Sequence, residues 1–210
     1  MKAYKFVSQE VAELIARGSV RLTPAEQFRQ SDDKTAGRGD RRELLTSAKI
    51  AGGAETLASN HPSFPPDMFV FIKGGERIYP DVEIVGESMQ VVADALLYCC
   101  SLSDTREIRA RMADSFGATA VFEISDINEF GRILASRPEL STRHFQCGPV
   151  QYVERRDGER AADLEPVDAL HKDQRFSWQD EYRLIWAAQW GEKPLVLEVP
   201  EIVPLLHRMH

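Results

Sequence analysis

No stretch of about 18 consecutive apolar residues occurs in the 210-residue chain, so no segment reads as a membrane span. Residues 1–18, MKAYKFVSQEVAELIARG, lack the apolar core of a signal peptide and meet a charge every few positions; they read as the first strand and helix of the fold. Cysteine is scarce. Cys99, Cys100 and Cys147 make an odd count without CxxC spacing, which argues for a reducing cytoplasm and against a cysteine-built zinc site. The five histidines, His61, His144, His171, His207 and His210, show neither i,i+4 pairing nor HExxH spacing, so no metal is expected. GxGxxG and GxxxxGKS/T are both missing, which removes the dinucleotide-fold and P-loop phosphate cradles. Internal repeats and low-complexity segments are missing too.

Positive charge is also short, with 26 Lys and Arg against 33 Asp and Glu, a net charge of −7. Coating of duplex DNA depends on neutralising phosphates, so that class is excluded, whereas contact with a short nucleotide is not. What is present suits a globular core: 43% hydrophobic and 28% charged residues over the length of one domain.

The local patterns give an α+β order over residues 1–210 as a single domain, with a central mixed or antiparallel sheet and inserted helices. AYKFV reads as a strand leading to Ser8 as a helix N-cap, with Val11, Leu14 and Ile15 on the inner helical face and Gly18 as the stop. SVRLT is a strand, residues 28–43 a polar loop, and Arg42–Ile50 a helix. Residues 51–67, with three prolines and two glycines, are irregular. MFVFIKGGERIYP suggests two strands around a Gly-Gly turn. The apolar run ADALLYCCSLS suits a buried strand, although its periodicity also allows a helix. Asp104 and Asp126 stand three residues before Glu107 and Glu129, the capping-box spacing of two helices. ATAVFEI, GPVQYVE, EYRLIWA and PLVLEV follow as strands, with a short helix after Pro200 and a charged loop over residues 155–166.

The segment FSWQDEYRLIW carries the chemistry. On a strand, Tyr182, Leu184 and Trp186 share one face and Glu181, Arg183 and Ile185 the other. A carboxylate and a guanidinium two positions apart suit either a charged pair at a pocket rim or a surface ion pair worth less than ~1 kcal/mol. Arg29, Arg38, Arg41 and Arg42 lie in a stretch that suits either a bidentate pyrophosphate clamp or a solvated loop.

Taken in order, YKF at 4–6, FRQSDD at 28–33, CCS at 99–101, MADSFG at 112–117, VQYV at 150–153, Lys172 and WQDEYRL at 178–184 resemble an uncharacterised family of bacterial and phage proteins. Its pattern runs Tyr-Lys-Tyr, Phe-Asn-Asp, Cys-Phe-Ser, Met-Trp-x-x-Tyr, then Lys, Trp and Glu-Tyr-Arg-Leu. The chain departs from it at Arg29 or Gln30 for the Asn, Ala113 for the Trp and Phe116 for the Tyr. The layout resembles a divergent ADP-ribosyltransferase-type fold, in which residues of the first, a middle and a late strand bind NAD.

That resemblance implies NAD as a substrate, no metal, and Glu181 as the catalytic carboxylate. Tyr4, Lys5, Arg29, Arg41, Ser101, Phe116 and Arg183 would then lie around the cofactor. Lys5 departs from the His or Arg usual at the first position and lacks the planar fork of arginine. Glu181 would face a cavity near Tyr4 and Lys5 and stabilise an oxocarbenium-like ribose, with Arg183 holding it ionised and Tyr4 or Phe116 stacking on nicotinamide. The acceptor would be a protein or a nucleic acid, in the setting of a toxin or phage-defence effector with a neutralising antitoxin. Two other classes stay open: a non-enzymatic binding module, and a hydrolase of NAD or nucleotides using Glu181 with Asp180 or Asp40.

Overall fold

The computed structural model describes residues 1–30, 45–49, 71–73, 76–78, 81–85, 88–92, 95–154, 169–188 and 191–209. In chain order these form β1 (Ala3–Val7), α1 (Gln9–Ile15), β2 (Ser19–Pro24), α2 (Ala25–Gln30), β3 (Leu45–Lys49), β4 (Phe71–Lys73) and β5 (Glu76–Ile78). Then come β6 (Asp81–Val85), β7 (Ser88–Val92), β8 (Ala95–Ser101), α3 (Arg106–Phe116), β9 (Ala120–Ile124), α4 (Ile127–Ala135) and β10 (Phe145–Pro149). The last are β11 (Gln151–Val153), β12 (His171–Asp173), a 3-10 helix Gln174–Gln179, β13 (Glu181–Ala187), β14 (Leu195–Glu198), a 3-10 helix Pro200–Leu205 and β15 (Leu206–Met209).

Among the described residues, eight strands make one antiparallel sheet in the order β10-β13-β8-β1-β9-β15, with β2 joined to β8 and β14 to β2. β11 and β12 form a short parallel pair, β3-β7-β6 an antiparallel trio, and β4-β5 a hairpin. The architecture is mixed α/β with a mainly antiparallel sheet.

β8 and β13 sit in the middle of the sheet and are covered on both sides, which is why their sequences are apolar almost without interruption. Alternation sorts their side chains into two cores. Leu96, Tyr98, Cys100, Tyr182, Leu184 and Trp186 face one core together with Ala3 and α4, while Leu97 and Ile185 join Ala25 and Ala169 in the other. α4 contributes Ile127, Phe130 and Leu134, all 0% exposed, and each such side chain contributes about 1.5–3 kcal/mol by burial. Gly131 lets that helix sit close to the sheet: a Cβ there would meet Leu184 Cδ2 and Phe145 Cζ, each at 3.1 Å. Gly18 ends the α1 turn at φ +89°, and a Cβ there would lie 2.6 Å from the carbonyl oxygen of Val199.

Several expectations are corrected. Residues 45–49 are a strand pairing with β7, so the helix expected at Arg42–Ile50 does not form. Ile15 is buried as expected, but Val11 (41%) and Leu14 (52%) are exposed and Ala12 is buried in their place, because the α1 contacts run to β2 and β9. Thr105, not Asp104, caps α3 by accepting from the Ile108 N–H, while Asp104 takes a bidentate pair from Arg109. Asp126 caps α4 as expected, through the Asn128 N–H. GPVQYVE breaks at Val150 into β10 and β11, since Val150 N–H turns back to the Glu181 carbonyl at 2.8 Å and Gln151 N–H goes to Leu170. The chain end is a sheet strand, β15 on β9, where the sequence suggested only a last helical turn. The two strands expected on either side of residues 74 and 75 do pair, and the buried strand reading of ALLYCCS is as expected. Residues 51–67 and the charged loop at 155–166 lie outside the described residues. No helix among the described residues is long and apolar enough to cross a membrane.

Candidate functional site

Glu181 opens β13 directly after Asp180, which sits in the left-handed region at φ 43°. Asp180 clamps the neighbouring strand end: its carbonyl accepts from Leu102 N–H at 2.7 Å, and its carboxylate accepts from the Ser103 hydroxyl. Left-handed backbone is tolerated by Asp among few other residues. The clamp fixes where β13 begins and therefore where the Glu181 side chain emerges.

That side chain is 6% exposed and enclosed by donors. Arg183 Nε gives Oε1 a bond of 2.8 Å and Arg183 Nη2 reaches Oε2 at 3.4 Å. Lys172 Nζ bonds Oε2 at 2.8 Å. A carboxylate offers about four acceptor positions. Burial opposes the ionisation of Glu181, but the charges of Arg183 and Lys172 and the bonds from Arg183 outweigh it, holding the acid far below the usual carboxylate range. The partners are anchored in turn. Lys172, 8% exposed, also bonds Gln179 Oε1 at 2.8 Å and lies 4.9 Å from the Phe176 ring centre. Arg183, 1% exposed, gives Nη1 to the Ala169 carbonyl at 2.5 Å. Burial first, and then the charge of Glu181, pushes the Cys99 thiol well above its ordinary range, so it stays protonated and is no nucleophile. Burial pushes the Cys100 thiol up to about 12 in the same way.

The register brings part of the predicted set together. Tyr4 of β1 pairs with Ser101 of β8, and Ser101 pairs with Glu181 of β13, so three of the expected residues form one row on one face. Ser101 is 2% exposed and engaged locally: its hydroxyl donates to the Ser103 carbonyl at 2.9 Å and accepts from the Ser103 N–H. Arg183 is in the cluster as expected, and it does hold Glu181 ionised.

Lys5 is not in this set. It follows Tyr4, so strand alternation puts it on the opposite face with Ala3. β1 and β2 both pair with β8, at Ser101 and at Leu96–Leu97, and leave Cys99 between them. Lys5 Nζ fills that fork, donating to the Cys99 carbonyl at 2.6 Å and lying 4.4 Å over the Tyr98 ring. Phe116 is displaced from the row as well, stacked on Trp178 at 6.3 Å, with the Arg111 guanidinium 4.6 Å from the same indole. Arg29 is described in its backbone only, on α2, and Arg41 and Asp40 lie outside the described residues.

Two members of the cluster were missing from the predicted site. Lys172 had a signal, since it belongs to the spaced pattern, but nothing in a loop-like context marked its ammonium as the partner of Glu181. Tyr152, whose hydroxyl accepts the Glu181 N–H at 2.8 Å, had none beyond lying in VQYV. No group of three or more His, Cys, Asp or Glu stands ready to hold a metal among the described residues. Compared with models of known protein families, with curated proteins and with solved structures, the chain matches none of them.

Proposed function

We propose that the chain is an ADP-ribosyltransferase-like enzyme that uses NAD to modify a protein or nucleic-acid acceptor. One observation carries the reading: Tyr4, Ser101 and Glu181 are direct partners on three adjacent strands from the start, the middle and the end of the chain. That is the order in which the resembled fold sets out its NAD-binding row. In the reaction the bond between ribose C1′ and the nicotinamide nitrogen breaks, and its electron pair leaves with neutral nicotinamide. An acceptor nucleophile bonds C1′ and releases its proton. A carboxylate that stays ionised at working pH acts through its field as positive charge grows on the ribose. Lys172 is the partner able to yield Oε2 to a ribose hydroxyl, because Gln179 and the Phe176 ring continue to hold its ammonium.

The test is nicotinamide release from NAD with candidate acceptors, comparing wild type with Glu181→Gln. Release that the variant loses by a hundredfold or more, with a modified acceptor, is the expected result. Release with water as the acceptor would make the protein a glycohydrolase. A non-enzymatic binding module is the second reading, favoured by the full set of donors already on Glu181. Absence of release from a folded wild-type protein with every acceptor would establish that reading instead.

A further inference from the structure

The row that holds Glu181 does not stop at Tyr4. Tyr4 pairs on its other side with Glu123 of β9, and Glu123 pairs with His207 of β15. Glu181, Ser101, Tyr4, Glu123 and His207 therefore form one unbroken line of polar side chains across five strands, all on one face. The register line two residues further into the sheet is mostly apolar: Cys99 faces Arg183, and Val121 faces both Phe6 and Met209. A polar line beside an apolar one is not what a sheet face packed only against its own core requires. The line also grades from inside to outside. Glu181 and Ser101 are buried, Tyr4 and Glu123 are half-buried, and His207 is exposed.

From Glu181 to Glu123 there are three strand-to-strand steps of about 4.8 Å, a span of roughly 14 Å. That span suits a ligand with two sugars joined by a pyrophosphate and laid across the strands. Glu123 differs from Glu181 in being held by a cation that can move away. Its partner is Lys2, at 2.8 Å, with 62% of that lysine side chain exposed.

We infer that Glu123 is the specificity residue for the far ribose of a dinucleotide lying along this row. Its carboxylate accepts from the 2′- and 3′-hydroxyls, and a 2′-phosphate is excluded by charge. A carboxylate on a ribose diol is the chemistry that separates NAD from its 2′-phosphorylated form elsewhere. Lys2 tempers the exclusion by partly neutralising Glu123. The inference rests on the function proposed above, because it takes the near ribose to lie at Glu181.

Two variants test it from opposite sides, with nicotinamide release and calorimetric binding measured for NAD and for its 2′-phosphorylated form. Glu123→Gln removes the charge and should narrow the preference for NAD by about tenfold, the effect of roughly one charged hydrogen bond. Lys2→Ala leaves Glu123 uncompensated and should widen the same preference. An unchanged ratio in both variants, with NAD still bound by wild type, overturns the role of Glu123 and leaves the enzyme reading standing. Failure of wild type to bind or cleave NAD overturns the enzyme reading first, and this inference with it. Should Glu123→Gln fail to fold, Lys2→Ala decides alone, and a narrowed or unmoved ratio there refutes the assignment.

Discussion

Glu181 and Glu123 stand three strands apart in one register row, and both are glutamates paired with a lysine at 2.8 Å. The physics at the two ends is nonetheless opposite. The Lys172 and Glu181 side chains are 10% and 6% exposed, against 62% and 15% for Lys2 and Glu123. In the buried pair, taking either charge from water costs several kcal/mol, and Arg183 and Gln179 offset that cost by completing its bonding. In the outer pair solvent screens the attraction, and a long side chain must be held still to keep it. A shared 2.8 Å distance therefore says little about either ion pair until its surroundings are known. The inner pair is kept by buried partners, whereas the outer pair leaves its lysine in solvent.

The largest effect should come from breaking the inner end. Arg183→Met removes the Nε and Nη2 bonds to Glu181 and the Nη1 bond to Ala169 while keeping much of the packing volume. Removing one partner of a buried pair typically costs about 3–5 kcal/mol. An unfolding free energy lowered by that amount, read from an earlier denaturant midpoint at constant slope, is expected. A shift no larger than that of a surface substitution would show that Glu181 is not dependent on Arg183, and the contrast between the two ends would fail.

A smaller effect should separate charge from shape. Glu181 is depressed below the ordinary value of 4.5, so its ionisation favours the folded state. That contribution is complete above the unfolded value and is lost progressively as the pH falls below it toward the folded one. Glu181→Gln keeps the volume but cannot ionise, so between pH 7 and pH 3 its stability should fall less steeply than that of wild type. At pH 7 it should be less stable by roughly 2–3 kcal/mol, since its amide nitrogen faces a donor where an oxygen accepted and its remaining bonds lose charge assistance. Parallel pH profiles of the two proteins would mean that the cations do not hold Glu181 ionised.

How far the sequence reached can be judged from the same residues. The faces of EYRLIWA were legible because a strand alternates, and both Tyr182–Leu184–Trp186 and Ile185 lie in the cores that alternation implies. Tyr4, Ser101 and Glu181 could be listed together, but nothing local fixes register between strands nearly a hundred residues apart. The resemblance sets Lys5 at the first-strand position of the same site, but one step along the strand from Tyr4 reverses the face. Glu123 and His207 had no signal at all. Their place in the row follows from β15 folding back onto β9, and a short apolar-charged ending such as LLHRMH gives no periodicity to read. The helix expected at Arg42–Ile50 failed through a related weakness, since β3 gains its hydrogen bonds from β7, a partner some forty residues away.

The smallest effect is expected at the outer pair. Lys2→Ala removes the cation from Glu123, the outer counterpart of what Lys172 supplies to Glu181. The hydrogen bond and charge of Glu123 raise the pKa of Lys2, so the two do attract. An exposed lysine nevertheless gives back most of that attraction to solvent and to its own lost freedom. No measurable change in denaturant midpoint is expected at moderate salt. Raising or lowering the salt concentration should move wild type and variant together, because little screened energy is there to lose. A clear destabilisation would mean that the Lys2–Glu123 pair is structural like the inner one, and an outer end already committed to its own lysine would have no carboxylate to offer a ribose.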